Sequence, residues 1–135
     1  NFEIKYPSNF IPKILDSKST EVKFTSPDKS IEFYIHSPTT DNFKIAKNEE
    51  IALENEENST TTYNQTAFNT TTKLTQVIDK DEKYLKVYIK ATDENQETKE
   101  KTSRIFSMKY NDLETLYKYS KEIEIFGSSY LPTAK

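Results

Sequence analysis

The chain has 135 residues, of which 30% are charged, a net charge of −3 and no cysteine. A chain of this size is one globular domain, and folding buries roughly two-thirds of its unfolded surface, enough to hold it without metals or crosslinks. The charge balance excludes the basic stripe of a nucleic-acid binder, and the missing cysteine excludes disulfides, thiolate catalysis and sulfur-ligated metal centres within these residues.

The chain opens at a strand-like run, Phe2, Ile4 and Tyr6 alternating with Glu3 and Lys5. A signal or anchor segment upstream of Asn1 is therefore expected to have been removed. Val22 and Phe24 alternate with Glu21 and Lys23, and Ile31, Phe33 and Ile35 with Glu32, Tyr34 and His36. A period of two is what a half-buried strand requires. Ser26-Pro27-Asp28-Lys29 lies between these runs and carries turn chemistry, so residues 20–36 read as a β-hairpin. A second helix is expected near residues 43–53, on a weak period. The segment 55–72 is rich in Asn and Thr. It reads either as an exposed edge strand, since Thr favours strands, or as a mobile loop.

Three more strands follow, over 73–78, 84–91 and 105–110. Their links, Asp79-Lys80-Asp81 and residues 92–100, are polar, which favours an antiparallel meander. The last element is a helix. Asn111 or Asp112 can cap it, with Glu114 three residues after Asn111. Leu113, Leu116, Tyr119, Ile123 and Phe126 fall on one face, and Gly127 stands where a helix C-cap is expected. These elements define an α+β fold with a mainly antiparallel sheet packed with helices. No apolar run has the length that crosses a bilayer.

Residues able to carry chemistry are sparse. Gly127 is the only glycine, and a Walker loop, a dinucleotide fingerprint or a nucleophile elbow each needs several. His36 is the only histidine, so no multi-histidine metal site can form. Its alternation puts it on the Tyr34 face, as a solvent-facing or hydrogen-bonded strand residue. Arg104 is the only arginine, suited either to an ion pair or to clamping a ligand carboxylate or phosphate. Carboxylates abound, but no calcium loop is spelled out. Tyr84 and Tyr88 share a strand face opposite the apolar one, and Tyr34 lies on the corresponding face of its own strand. They are core if helices cover both sides of the sheet, and ligand-facing if one side is open. Three N-glycosylation sequons begin at Asn58, Asn64 and Asn69. The first has Glu56 two residues ahead of it, as in the extended acceptor pattern of bacterial systems.

Phe2-Glu3-Ile4-Lys5-Tyr6-Pro7 resembles the opening strand of the PsbP-like family. Residues 22–38 resemble that family's hairpin, including Ser26-Pro27-Asp28 and Ser37-Pro38. Arg104-Ile105-Phe106-Ser107-Met108-Lys109-Tyr110, the helix with Tyr117 and Tyr119, and Ser128-Ser129-Tyr130 resemble its final strand, helix and tail. The resemblance covers both ends, about half the chain. It implies an α/β/α sandwich and a place in the bacterial cell envelope, as a periplasmic protein or a lipoprotein anchored upstream. It implies no enzyme activity and no family site.

The expected function is a non-enzymatic, exported binding or accessory domain for a protein or small ligand, with no cofactor. Two alternatives stand beside it. One is a small hydrolase using a carboxylate pair, with His36 assisting. The other is a surface-display domain with a glycosylated Asn/Thr-rich segment at Asn58.

Overall fold

The computed structural model describes residues 2–18, 21–36, 42–81 and 85–132, with backbone alone for 42–44. The strands are β1 (Phe2–Glu3), β2 (Ile11–Ile14), β3 (Val22–Thr25), β4 (Ile31–Ile35), β5 (Ser59–Ala67), β6 (Thr70–Asp79), β7 (Lys86–Asn95), β8 (Lys101–Tyr110) and β9 (Leu131–Pro132). The helices are α1 (Asn42–Glu54), α2 (Leu113–Lys118) and α3 (Ser120–Ser128). Seven strands form one sheet in the order β2-β3-β4-β8-β7-β6-β5, antiparallel throughout. The short strands β1 and β9 pair with each other. The α+β class read from the sequence is the class observed.

Alternation along the strands gives the sheet two different faces. On one face a cross-strand row runs through Phe24, Phe33, Met108, Val87 and Ile78. A second row runs through Ile35, Phe106, Ile89 and Gln76. Most of these side chains are buried, and Leu116 of α2, Tyr119 between the helices, and Ile123 and Phe126 of α3 cover them. Phe126 packs its ring on Phe33, 4.7 Å between centroids, and edge-on to Phe106. Phe10 reaches the same core from the loop before β2, between Phe33 and Tyr119. Burying aromatic surface at this density offsets the chain's low apolar content.

On the other face the equivalent row is Lys23, Tyr34, Ser107, Tyr88 and Val77. Here α1 lies over β6 and β8, and Ala52 and Ile45 pack on Val77 and Tyr88. The poor helical period of α1 has a physical counterpart. Glu49 lies on its sheet side, fully buried, with neither carboxylate oxygen hydrogen-bonded among the described residues. Burial pushes that carboxyl above its ordinary range, while Lys90 pulls it down and Glu50 raises it further.

Several expectations are corrected. The opening run is a strand only at Phe2–Glu3, and it joins β9 instead of the main sheet. The strand β2 has no sequence counterpart, because Pro12 removes a donor and masks the pattern. Segment 55–72 forms the edge strand β5, a two-residue turn and the start of β6. The last helix is two, broken at Tyr119 (φ −103°, ψ 17°). Asp112 caps the first by accepting from the Thr115 amide at 2.8 Å, so the Asn111–Glu114 box is not used. Gly127 is not a C-cap. It lies inside α3 with a negative φ, and the cap is Ser129.

Gly127 is needed for approach instead of for backbone freedom. A Cβ built there would stand 2.8 Å from Gln76 Oε1 and 3.1 Å from Ile89 Cδ1. Gly127→Ala sets a helix-propensity gain of about 1 kcal/mol against moving two side-chain ends, so it is expected to be near neutral. Gly127→Val drives branched carbons into Ile89 and should cost about 2–3 kcal/mol in a urea melt. Equal stability of the Val variant and the wild type would contradict this packing.

Candidate functional site

Two clusters of polar side chains stand out, one on each face of the sheet. The first is built by β3, β4, β7 and β8 at the margin of α1. His36 follows β4, and the register brings it beside Ser107 of β8, whose row also holds Tyr34 and Tyr88. His36 Nε2 and Ser107 Oγ share a hydrogen bond of 2.7 Å. On the other side of the ring, Nδ1 stands 3.9 Å from Glu21 Oε1, beyond hydrogen-bond reach. Tyr34 stacks on the imidazole, nearly parallel, and donates to Glu32 at 3.0 Å. Burial and the Lys86 ammonium together push the imidazole down to about 4, so His36 is neutral at pH 7. Burial, with the bond to Glu32, pushes the Tyr34 phenol up to about 12.

The order Ser107, His36, Glu21 has the outline of a nucleophile, base and orienting carboxylate. Its geometry falls short in two respects. The carboxylate does not reach the ring, and Ser107 is only 3% exposed. Ser107 also lies in a strand paired on both sides, which commits the local amides to the sheet ladder and leaves none for an oxyanion. What this cluster does is satisfy a buried imidazole and hydroxyl against each other.

The second cluster lies on the face covered by α2 and α3, where β7 and β8 extend past β4 and the β1–β9 pair folds over them. Asp93, Thr102, Ser103, Arg104, Phe2 and Tyr130 line a polar cavity of about 100 Å³. Asp93 is held by two hydroxyls: Thr72 donates at 2.6 Å and Tyr130 at 2.5 Å. The Tyr130 phenol is raised by burial first and by its bond to Asp93 second, while Arg104 opposes the shift. The Arg104 guanidinium lies 4.4 Å above the Phe2 ring. It makes no ion pair or hydrogen bond among the described residues. Phe2 also borders a wider groove of about 480 Å³, with Ile4, Ile35 and Leu131 on its walls. Glu3, Lys5 and Ser129 complete the lining of the groove, and Phe2 borders both it and the Arg104 cavity.

The sequence-derived candidates are scattered by this fold. Tyr88 is buried beneath α1, as core, and Tyr34 is half-buried beside His36. Tyr84 lies outside the described residues. Arg104 is on the opposite face from both tyrosines. Asn58 precedes β5, where its amide donates to the Ala52 carbonyl and its oxygen accepts from the Lys80 amide. Those two bonds fasten the end of α1 to the end of β6. Asn64 and Asn69 are exposed. Ser107, Asp93 and Tyr130 are the participants that residue patterns missed. Ser107 reads as one more alternating strand position, and Asp93 sits in a stretch whose polarity suggested a link where β7 in fact continues.

Among the described residues no group of three His, Asp or Glu side chains could hold a metal ion. No described helix is long and apolar enough to cross a membrane. Comparison with protein-family models and with curated proteins finds no match for this chain.

The imidazole gives a direct check of the first cluster. His36 has its folded-state pKa depressed, so its contribution to stability is full above pH 6.5. That contribution is lost as the pH falls from there towards 4, by up to about 3 kcal/mol. Being the only histidine, its ring signals need no assignment in an NMR titration. A midpoint near 4, and loss of the acid slope in His36→Gln, are expected. An ordinary midpoint near 6.5 would mean the ring is solvated and not bonded to Ser107.

Proposed function

We propose that this chain is a non-enzymatic binding domain that takes a ligand with a carboxylate head and an apolar body at Arg104. One observation carries the reading: the chain's single arginine lines a cavity without an ion-pair partner among the described residues. A guanidinium presents a rigid fork of donors that matches a carboxylate in bidentate geometry, and its charge favours the ionised form. Phe2 holds the fork in place from below, a contact worth about 0.5–1 kcal/mol at a partly exposed site. Asp93 lines the same cavity and accepts one hydroxyl on each oxygen, from Thr72 and from Tyr130, bonds that orient its charge without cancelling it. Phe2, Ile4, Ile35 and Leu131 would receive the apolar part, gaining about 25 cal/mol per Å² removed from water.

An exported location, in the periplasm or at a lipid anchor of the bacterial envelope, is the second part of the proposal. It rests on the resemblance of both chain ends to the PsbP-like family, and the helices on both faces of the antiparallel sheet agree with the sandwich that resemblance implies.

Octanoate, followed by NMR shift perturbation, is a suitable probe. Shifts are expected at Phe2, Ile4 and Arg104, and Arg104→Gln should weaken binding about 10–100-fold, the worth of a charge-assisted pair. Arg104→Lys should recover only part of it, because the ammonium lacks the fork. Shifts elsewhere, or a Gln variant that binds as the wild type does, would overturn the assignment.

A further inference from the structure

The main sheet ends in two edge strands with opposite characters. At one end, β2 (Ile11–Ile14) carries Pro12 and Lys13, two standard guards against strand addition. At the other end, β5 (Ser59–Ala67) is nine residues long and contains no charge, no proline and no glycine. Among the described residues its one strand partner is β6, with an unbroken one-to-one register and therefore no bulge to twist the edge away. Among the described residues no element pairs with its outer side. Five of the nine residues are Thr or Tyr, which favour strands.

The hairpin fixes which backbone groups point outwards. Phe68 and Asn69 have φ of 52° and 58°, the type I′ turn, so Ala67 and Thr70 close it as a hydrogen-bonded pair. Counting back in twos, Ala67, Gln65, Tyr63, Thr61 and Ser59 direct their amides and carbonyls to β6. The amides and carbonyls of Thr60, Thr62, Asn64 and Thr66 therefore face away from the sheet.

We propose that this edge pairs with the same edge of a second copy, antiparallel across a two-fold axis at Tyr63. That register sets Thr62 against Asn64 and Thr60 against Thr66 of the partner copy, so all four outward positions exchange hydrogen bonds. The Tyr63 side chains meet at the axis. No like charges oppose each other, since Ser59–Ala67 carries none and Glu56 and Glu57 lie before the strand begins. An uncharged edge in this register meets its own copy with every outward backbone group paired and no like-charge clash. The seven-stranded sheet doubles to fourteen strands. An edge joint buries less than the roughly 1,200–2,000 Å² of a stable interface, so the dimer is expected to form and dissociate with concentration.

The test uses the whole chain in analytical ultracentrifugation over rising concentration. A monomer–dimer equilibrium is expected, and Thr62→Pro should weaken it at least about tenfold, since it deletes an outward donor on each copy. That amide is not used by β6, so the variant should keep the wild-type far-UV spectrum. As the chain has no cysteine, Tyr63→Cys should crosslink to a covalent dimer on mild oxidation, and Phe68→Cys at the hairpin tip should not. A chain monomeric at every concentration overturns the proposal. So does a dimer that survives Thr62→Pro, or crosslinking that is equal at positions 63 and 68.

Discussion

The pairing of β4 with β8 is the constraint on which the rest of the structure depends. Every other neighbouring pair in the main sheet joins strands that follow one another along the chain. These hairpins close over short loops and can form on local information. β4 and β8 are separated by α1 and three strands, and their pairing welds a three-stranded N-terminal meander to a four-stranded C-terminal one. The weld is dry: Phe33 faces Met108, and both are fully buried. A slip of one residue would set Tyr34 against Met108, turning Tyr34 to the side of Phe126 and Phe33 to the side of α1. The register therefore decides at once which face takes the aromatic core and which meets α1.

The two helical layers follow from that division. The face with two rows of large apolar side chains takes α2 and α3, whose own stripe is apolar. The corner of this layer is tied back to the β3–β4 turn by Asp28, which accepts from Ser26, Ser30 and Tyr119 and pairs with Lys118 at 2.9 Å. These donors, the Ser30 hydroxyl first, hold the Asp28 carboxyl far below the usual carboxylate range. Tyr110 closes the same end of the sheet by donating to the Asp79 carbonyl at 2.7 Å. The second face is mixed, with Tyr88 and Val77 beside Ser107, Lys86 and Lys90, and it takes α1, a helix that itself buries a carboxylate. On this face His36 and Ser107 satisfy each other, while Glu49 stays without a hydrogen bond among the described residues. The Arg104 guanidinium lines the cavity on the other face.

Much of this fold was legible because alternation survives on most strands. The hairpin over 20–36 and the strands at 73–78 and 105–110 declare themselves by a period of two, and Asp112 by its place before an apolar stripe. The readings that failed did so for local reasons. Pro12 hid an edge strand. A run of Thr, which has β-propensity but little hydrophobic contrast, left β5 suspended between strand and loop. The dihedrals of Tyr119 break a helix whose apolar stripe continues across the break, so the pattern gave no sign of it. Gly127 was misread because a helical glycine needed for close approach looks the same as one needed for a cap. The site was less legible than the fold. Arg104 is conspicuous as the single arginine, but its stacking on Phe2 depends on a contact across a hundred residues of chain. Asp93 acquires its role only once Thr72 and Tyr130 are brought to it.

The register of β4 against β8 is best measured by cross-strand NOEs from the methyl group of Met108, the only methionine in the chain. The account predicts contacts from Met108 to the Phe33 ring and from Ser107 to Tyr34. Contacts from Met108 to Tyr34 in place of Phe33 would mean a register shifted by one, with the side chains of β4 turned to the opposite faces, and would contradict the core described above.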